Sequence, residues 1–228
     1  MVMDSVVPSG LLLIDKPAGI TSFDIIRTLR RTTGVRKIGH AGTLDPAATG
    51  LMLILFGAAT KQASKFSDLD KTYVAEMRLG KTSTTGDREG ELAAVSDRQP
   101  SRDEVETTLK QFVGEIIQTP SKYSAIKVGG VRAYKLARAG KDVAMPPRQV
   151  TIHEIKFLDY SYPTVHFEAK VSSGTYIRTL AEDIGQELKT GAYLSALQRI
   201  QIGDFSLDQA SELNAVDALS LADKLSPI

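Results

Sequence analysis

GHAGTLDPAATGLMLILF, residues 39–56, joins a loop of small residues to an uninterrupted apolar run. Residues 51–56 have the length of a strand and no polar position, the pattern of a strand covered on both faces. The loop before it, residues 39–50, holds one carboxylate, Asp45, among glycines, alanines, threonines, Leu44, Pro46 and His40, with no Lys, Arg or second acid. Glycine opens backbone conformations closed to other residues, and a following proline confines Asp45 to the extended region, so such a loop can present the carboxylate in one direction. Two readings stand side by side: a reactive carboxylate, or an Asp-Pro pair that shapes a turn.

Outward from this stretch the pattern is α+β. Residues 10–15 read as a short apolar strand, and residues 21–33 as a helix with Phe23, Ile26 and Leu29 on one face and Gly34 as its stop. Residues 71–79 alternate, placing Tyr73, Ala75, Met77 and Leu79 on the covered side of a strand with Tyr73 near its start. Ser101 and Glu104 form a capping-box pair, and Val105, Leu109, Phe112, Val113 and Ile116 continue at helical spacing. Residues 151–158 and 164–171 read as two further strands separated by Tyr162-Pro163. The turn Ser172-Ser173-Gly174 then leads through Thr175, Tyr176, Ile177 and Arg178 into a helix reaching Leu188.

The chain has 228 residues, 42% of them hydrophobic, enough to bury a substantial core without disulfides or metal. With no cysteine, thiol chemistry and thiolate metal sites drop out. His40, His153 and His166 lie on separate elements without partners at ligand spacing, so no metal is expected. Residues 1–17 carry no basic leader and no apolar run of membrane length, which makes a cytoplasmic protein the expectation. Gly80-Lys81-Thr82 imitates the end of a phosphate-binding loop, but Ala75 stands where the earlier glycine is required. Ser172 and Ser173 have no adjacent histidine to act as base.

Net charge is +1, unevenly spread. Arg27, Arg30, Arg31, Arg36 and Lys37 cluster without an acid between them. Lys122, Lys127, Arg132, Lys135, Arg138, Lys141 and Arg148 face only Asp142, whereas Asp204, Asp208, Glu212, Asp217 and Asp223 near the carboxyl end face Lys224 alone. A polyanion would be drawn to the first two regions, although a single charge run is more often a solvated face. Residues 119–148 also contain Gly129-Gly130, Gly140 and Pro146-Pro147, with Tyr123 and Tyr134 interleaved among the cations, and are long for a connection. That composition suits a flap over a nucleic-acid strand; a surface insertion without a partner is the alternative. A carboxylate that must react as an anion needs a cation near it, for which Arg178 is a candidate. Tyr176 adds an ionisable hydroxyl. Taken alone, Arg178 reads better as a helix-start surface residue and Tyr176 as a core-edge aromatic.

Five segments together resemble the TruB family of tRNA pseudouridine synthases: LLLIDKPAGITSFD (residues 11–24), GHAGTLDPAATG (39–50), KTYVAEMRLG (71–80), SSGTYIRTLAEDIG (172–185) and LSALQRIQIGDF (194–205). The resemblance spans nearly the whole chain in order. It implies an isomerase that detaches the uracil of a uridine in the tRNA T-arm loop, rotates it and rejoins it through C5, without cofactor or metal. The implied fold is a mixed, mainly antiparallel central sheet with flanking helices and a basic RNA-binding thumb inserted at residues 119–148. The implied roles are Asp45 as nucleophile, Arg178 as its partner and Tyr176 as the base for proton abstraction. Tyr73 stacks on the target base, Leu197 closes the pocket and His40 helps hold the RNA loop from which the uridine leaves, while Lys16 and Pro17 are supportive.

On this reading residues 1–205 form the catalytic domain. Residues 206–228 form a short acidic extension rather than a domain of their own, and the expected partner is tRNA, bound by a monomer. Two other classes stay in competition. A non-catalytic RNA-binding or RNA-folding protein would share the basic regions and Tyr73 but has no use for both Asp45 and Arg178. A small-molecule enzyme with an aspartate nucleophile lacks its acid-rich metal loop.

Overall fold

The computed structural model describes residues 8–121, 123, 127–141 and 143–228. In chain order the elements begin with β1 (Gly10–Lys16), α1 (Ser22–Thr33), β2 (Ile38–Ala41), β3 (Thr49–Phe56), α2 (Ala63–Ser67) and β4 (Lys71–Leu79). There follow β5 (Lys81–Ser83), β6 (Leu92–Ala94), α3 (Arg102–Gln111), β7 (Gly114–Gln118), β8 (Lys127–Val128), β9 (Val131–Arg132) and α4 (Ala133–Arg138). The last are β10 (Arg148–Ser161), β11 (Thr164–Val171), α5 (Ile177–Glu187), β12 (Ala192–Ile202), β13 (Phe205–Ser206), β14 (Ser211–Glu212) and α6 (Leu221–Lys224). Two compact units result, one of Met1–Tyr73 with Leu197–Ile228 and one of Val74–Ala196, so β4 and β12 each carry the chain from one unit into the other.

In the first unit the strand order is β14-β1-β3-β12, with β2 also paired to β3 and β13 to β12. β1 and β2 run antiparallel to β3, whereas the β1–β14 and β3–β12 pairs are parallel. β3 lies between partners and is buried throughout residues 50–56, which is why its sequence shows no alternation. Leu51, Leu53 and Leu55 enter one cluster with Leu11, Ala41, Ala59, Phe66 and Ile202; Met52, Ile54 and Phe56, pointing the other way, are equally buried. The acidic residues 206–228 are built into this unit: β14 pairs with β1, and Leu11 and Ser226 exchange two backbone hydrogen bonds.

α1 starts at a complete capping box, in which the Thr21 hydroxyl accepts from Asp24 N–H and the Asp24 carboxylate accepts from Thr21 N–H. It ends at Gly34 in the left-handed conformation. Its inner face is Ser22, Ile25, Ile26 and Leu29, spaced i, i+3, i+4, i+7. Phe23, expected on that face, is instead 55% exposed: one residue past Ser22 turns it about 100° away from the core.

The second unit has the order β4-β11-β10-β7, with β10 antiparallel to both neighbours. The mixed, mainly antiparallel α+β architecture expected from the sequence is thus present. Two elements differ from their expected bounds by more than two residues. α3, capped by Ser101 and Glu104 as expected, stops at Gln111, and Ile116 belongs to β7. Gly114, at φ +117, breaks the helical track, and apolar spacing that continues across such a break cannot tell helix from strand. β10 is longer than the expected strand, running from Arg148 to Ser161.

Described residues of the basic segment form regular elements. β8 and β9 form a hairpin through Gly129-Gly130, whose φ values of +58 and +83 are those of the tight turns that match strand twist, and α4 follows directly. Lys122 lies outside the described residues. Lys127 falls on β8 and Arg138 at the end of α4, while Arg132, Lys135 and Lys141 are exposed.

Candidate functional site

Asp45 is half-buried on the loop between β2 and β3, and three buried side chains of the first unit hold that loop by its backbone. Lys16, with no exposed surface, donates its ammonium protons to the carbonyls of Ala48 (2.6 Å), Pro17 (2.9 Å) and Pro46 (3.1 Å). The Ser22 hydroxyl accepts from Leu44 N–H and donates to Leu44 C=O, both at 3.0 Å. The Arg199 guanidinium, 1% exposed, donates through Nε to Leu51 C=O (2.8 Å) and through Nη2 to Gly42 C=O (3.1 Å). Gly50 completes the fit: its φ is +101, and a Cβ there would lie 2.3 Å from the Arg199 carbonyl oxygen. Charge-assisted bonds to carbonyls are about twice as strong as neutral ones, so the loop is fixed at both ends and in its middle.

Leu197 sits beside the exit of this loop. It is half-buried on β12, its carbonyl accepts from the Thr49 hydroxyl (3.5 Å), and its neighbours Gln198 and Arg199 pair with Thr49 and Gly50. His40 is half-buried on β2, opposite Ile54 of β3. Tyr73, third residue of β4, is only 8% exposed. Two residues before it, buried Lys71 caps the chain after α2 by donating to Ser67 and Leu69 carbonyls, both at 2.5 Å. Burial, reinforced by repulsion from Arg199, pushes the Lys71 ammonium down to about 8.

The other two expected catalytic residues lie in the second unit, at the start of α5. The Tyr176 backbone is locked by buried Gln118, whose amide accepts from Tyr176 N–H (3.0 Å) and donates to Tyr176 C=O (3.1 Å). Arg148, the last cation of residues 119–148, lies over the Tyr176 ring at 5.6 Å and donates to Gly174 C=O. Arg178 Nη1 donates to Asp87 Oδ2 (3.0 Å) and to Thr85 C=O (3.1 Å), with the two ion-pair side chains 8% and 11% exposed. Asp87 is fixed in turn, since its Oδ1 accepts from the Thr85 hydroxyl (2.6 Å) and Glu89 N–H (3.0 Å). Arg178 is therefore a buried, oriented cation rather than a surface residue.

One turn further along α5, Glu182 packs against the same 83–87 turn, where a side chain on Gly86 would meet its carboxyl at 3.0 Å. Burial, aided by Asp183 and Asp87 and opposed by Arg178, pushes the Glu182 carboxyl from its ordinary 4.5 up to about 7. Burial raises Asp183 to about 6. Between pH about 4 and about 7 the folded protein thus holds protons that the unfolded chain has lost, so these two groups make stability fall as pH rises through that window. Glu182→Gln is expected to flatten this fall and to raise the midpoint of thermal unfolding at pH 7.5 relative to wild type while changing it little at pH 4.5. Parallel pH profiles for the two proteins would refute the assignment.

Asp87, Arg199, Ser22, Gln118 and Glu182 were not legible as site residues in the sequence. The nearest signal was Gly86-Asp87, an acid following a turn glycine, which pointed to a turn and nothing more. Among the described residues no group of His, Cys, Asp or Glu could hold a metal ion, and no helix is long and apolar enough to cross a membrane.

The model of the TruB family pseudouridylate synthase N-terminal domain matches residues 30–177, and that of the tRNA pseudouridylate synthase B C-terminal domain matches residues 178–226. A protein of Cupriavidus metallidurans named tRNA pseudouridine synthase B is 47% identical over 211 residues, covering 92% of this chain and 67% of its own length. One of the same name from Fusobacterium nucleatum is 47% identical over 199 residues, with 87% and 69% covered. Among solved structures, a Cbf5–Nop10–Gar1 complex aligns with TM-score 0.72 and 29% identity, over 90% of this chain and 52% of that one. An H/ACA RNP bound to a substrate RNA containing 2′-deoxyuridine gives TM-score 0.69 and 27% identity, over 90% and 51%. The chain spans about half the length of these solved chains. With the loop of Asp45, the β4 tyrosine and the α5 arginine all inside matched segments, the chain belongs to the TruB family of pseudouridylate synthases.

Proposed function

We propose that the chain is a tRNA pseudouridine-55 synthase, an isomerase that converts the uridine of the T-arm loop of tRNA into pseudouridine and acts as a cytoplasmic monomer. The observation that carries this reading is the Asp45 loop: one half-buried carboxylate on a loop whose backbone groups are bonded by Lys16, Ser22 and Arg199. Such a hold fixes the position from which a reacting group is presented.

The reaction breaks the bond from C1′ to N1 and forms one from C1′ to C5, while C5 loses its proton to solvent and N1 gains one. No electron is gained or lost, so the chemistry calls for no redox cofactor. A uridine inside a folded loop must first leave its stack, at a cost of a few kcal/mol that phosphate contacts offset. Tyr73 stacks on the extruded base, His40 supports the loop it leaves, and Leu197 closes over it. Asp45 then adds to the uracil ring, attacks C1′, or promotes departure of the base by its charge. Arg178 supplies a fixed cation, and Tyr176 accepts the C5 proton.

Incubating the protein with unmodified tRNA labelled with tritium at uridine C5 tests this directly. Release of label to water is expected, whereas binding of the tRNA without release would support an RNA-binding protein instead. The flap makes a separate expectation. Replacing Arg132, Lys135 and Lys141 with alanine should weaken tRNA binding by about 10-fold or more at low salt and flatten its salt dependence; an unchanged slope would remove the flap from phosphate binding.

A further inference from the structure

The outer face of α1 is not used by anything described so far. Phe23, Arg27, Arg30 and Arg31 recur at i, i+4, i+7 and i+8, all exposed, and Arg36 and Lys37 extend the same charge beyond the helix. Asp24 is the one acid of α1, and it is occupied by the Thr21 cap and an ion pair with Arg27. Phe23 stands in water with the Arg30 guanidinium 5.9 Å from its ring centroid. A large exposed ring costs apolar burial, and Ile25 already fills the inward position, so packing gives no reason for an aromatic at residue 23. Exposed aromatics beside guanidiniums are the composition on which unpaired bases stack while cations neutralise the backbone.

The position of this face matters as much as its charge. Ser22, one residue before Phe23, is the side chain bonded to Leu44, which directly precedes Asp45. The face therefore begins at the root of the Asp45 loop and runs the length of twelve residues, about 18 Å, away from it. That is long enough to follow several successive phosphates of one strand, which advance by ~3.4 Å each along a duplex axis.

We infer that the outer face of α1 is an RNA track that carries the strand adjoining the target uridine, with Phe23 stacking on an unpaired base next to it and Arg27, Arg31, Arg36 and Lys37 on its phosphates. The inference rests on the function proposed above and deepens it by naming where the flanking strand lies. The opposite charge of RNA and the exposed ring favour this occupant over a protein surface.

Two variants of the full chain test it, Phe23→Ala and Arg27→Ala/Arg31→Ala, each titrated with a T-arm stem-loop RNA and with whole tRNA over a range of salt. The double variant is expected to bind the stem-loop about 10-fold more weakly at low salt, with the salt slope lowered by about two. Phe23→Ala is expected to weaken it about fivefold with the slope unchanged. Unchanged affinity and slope in both variants would overturn the track. Loss confined to whole tRNA, with the stem-loop bound normally, would overturn its assignment to the strand beside the uridine. If these losses appear while wild type releases no label from C5, the track stands and the proposed reaction falls.

Discussion

Asp45→Asn is expected to stop pseudouridine formation, by a factor on the order of 10⁴ or more, while leaving tRNA affinity within a few-fold of wild type. The reasoning starts from how the loop is held. Lys16 binds the carbonyls of Pro46 and Ala48, Ser22 binds both backbone groups of Leu44, and Arg199 binds the carbonyl of Gly42. Each of these survives a change confined to one side-chain atom of residue 45, so the loop keeps its course. Asparagine has the size of aspartate but neither its negative charge nor its nucleophilic oxygen, and each of the three possible roles for Asp45 needs one or the other. The phosphate and stacking contacts proposed above fall elsewhere, on the flap, Tyr73 and α1, which is why binding should persist. Retained formation of pseudouridine by Asp45→Asn would remove residue 45 from the chemistry, and a parallel loss of binding would show that the loop had collapsed instead.

What could be read from the sequence was what a local pattern records. The six-residue apolar run announced β3 because a strand with partners on its sides and cover on both faces has no polar position to spend. Ser101 and Gly34 announced helix ends because caps are satisfied within four residues. Asp45 was visible through its isolation. The residues that went unseen act across long separations. Arg199 reaches Gly42 over 157 positions, Gln118 reaches Tyr176 over 58, and Asp87 meets Arg178 over 91, and no spacing rule links such partners. The misplacement of Phe23 has another origin. An apolar residue one step off the 22, 25, 26, 29 stripe still fits a broad helical face on paper, and only the packed helix shows it turned outward. Ile116 shows the same limit in the other direction, for helical spacing carried past a glycine into a strand.

Arg199→Met is expected to be the costliest change outside the reacting groups, lowering stability by about 3 kcal/mol and the thermal midpoint by about 6–12 °C. Two effects compete. Removing a buried guanidinium relieves its desolvation and its repulsion of Lys71, which would favour methionine, a side chain of similar reach. Against this, the carbonyls of Gly42 and Leu51 lose their donor inside the protein, at about 1–3 kcal/mol for each buried acceptor left unsatisfied. Burial between β12 and the parallel partner β3 gives those carbonyls little chance of recruiting water, so the second effect wins. Because Gly42 stands three residues before Asp45, the same loss loosens the loop, and turnover at 25 °C should fall at least about 10-fold in protein that is still folded. Arg199→Lys should be intermediate, since one ammonium can serve one carbonyl well but cannot reproduce the planar fork that spans both. The Lys71 ammonium provides a signature that general destabilisation would not. Its folded value of about 8 lies below its ordinary 10.5, so the folded protein holds fewer protons than the unfolded chain between those limits and gains stability as pH rises through them. With Arg199 gone, the lower limit moves up and that alkaline gain shrinks. Thermal midpoints measured from pH 7 to 10.5 on wild type and Arg199→Met decide the matter: unchanged midpoints together with unchanged turnover would show that the loop of Asp45 does not depend on the arginine beneath it.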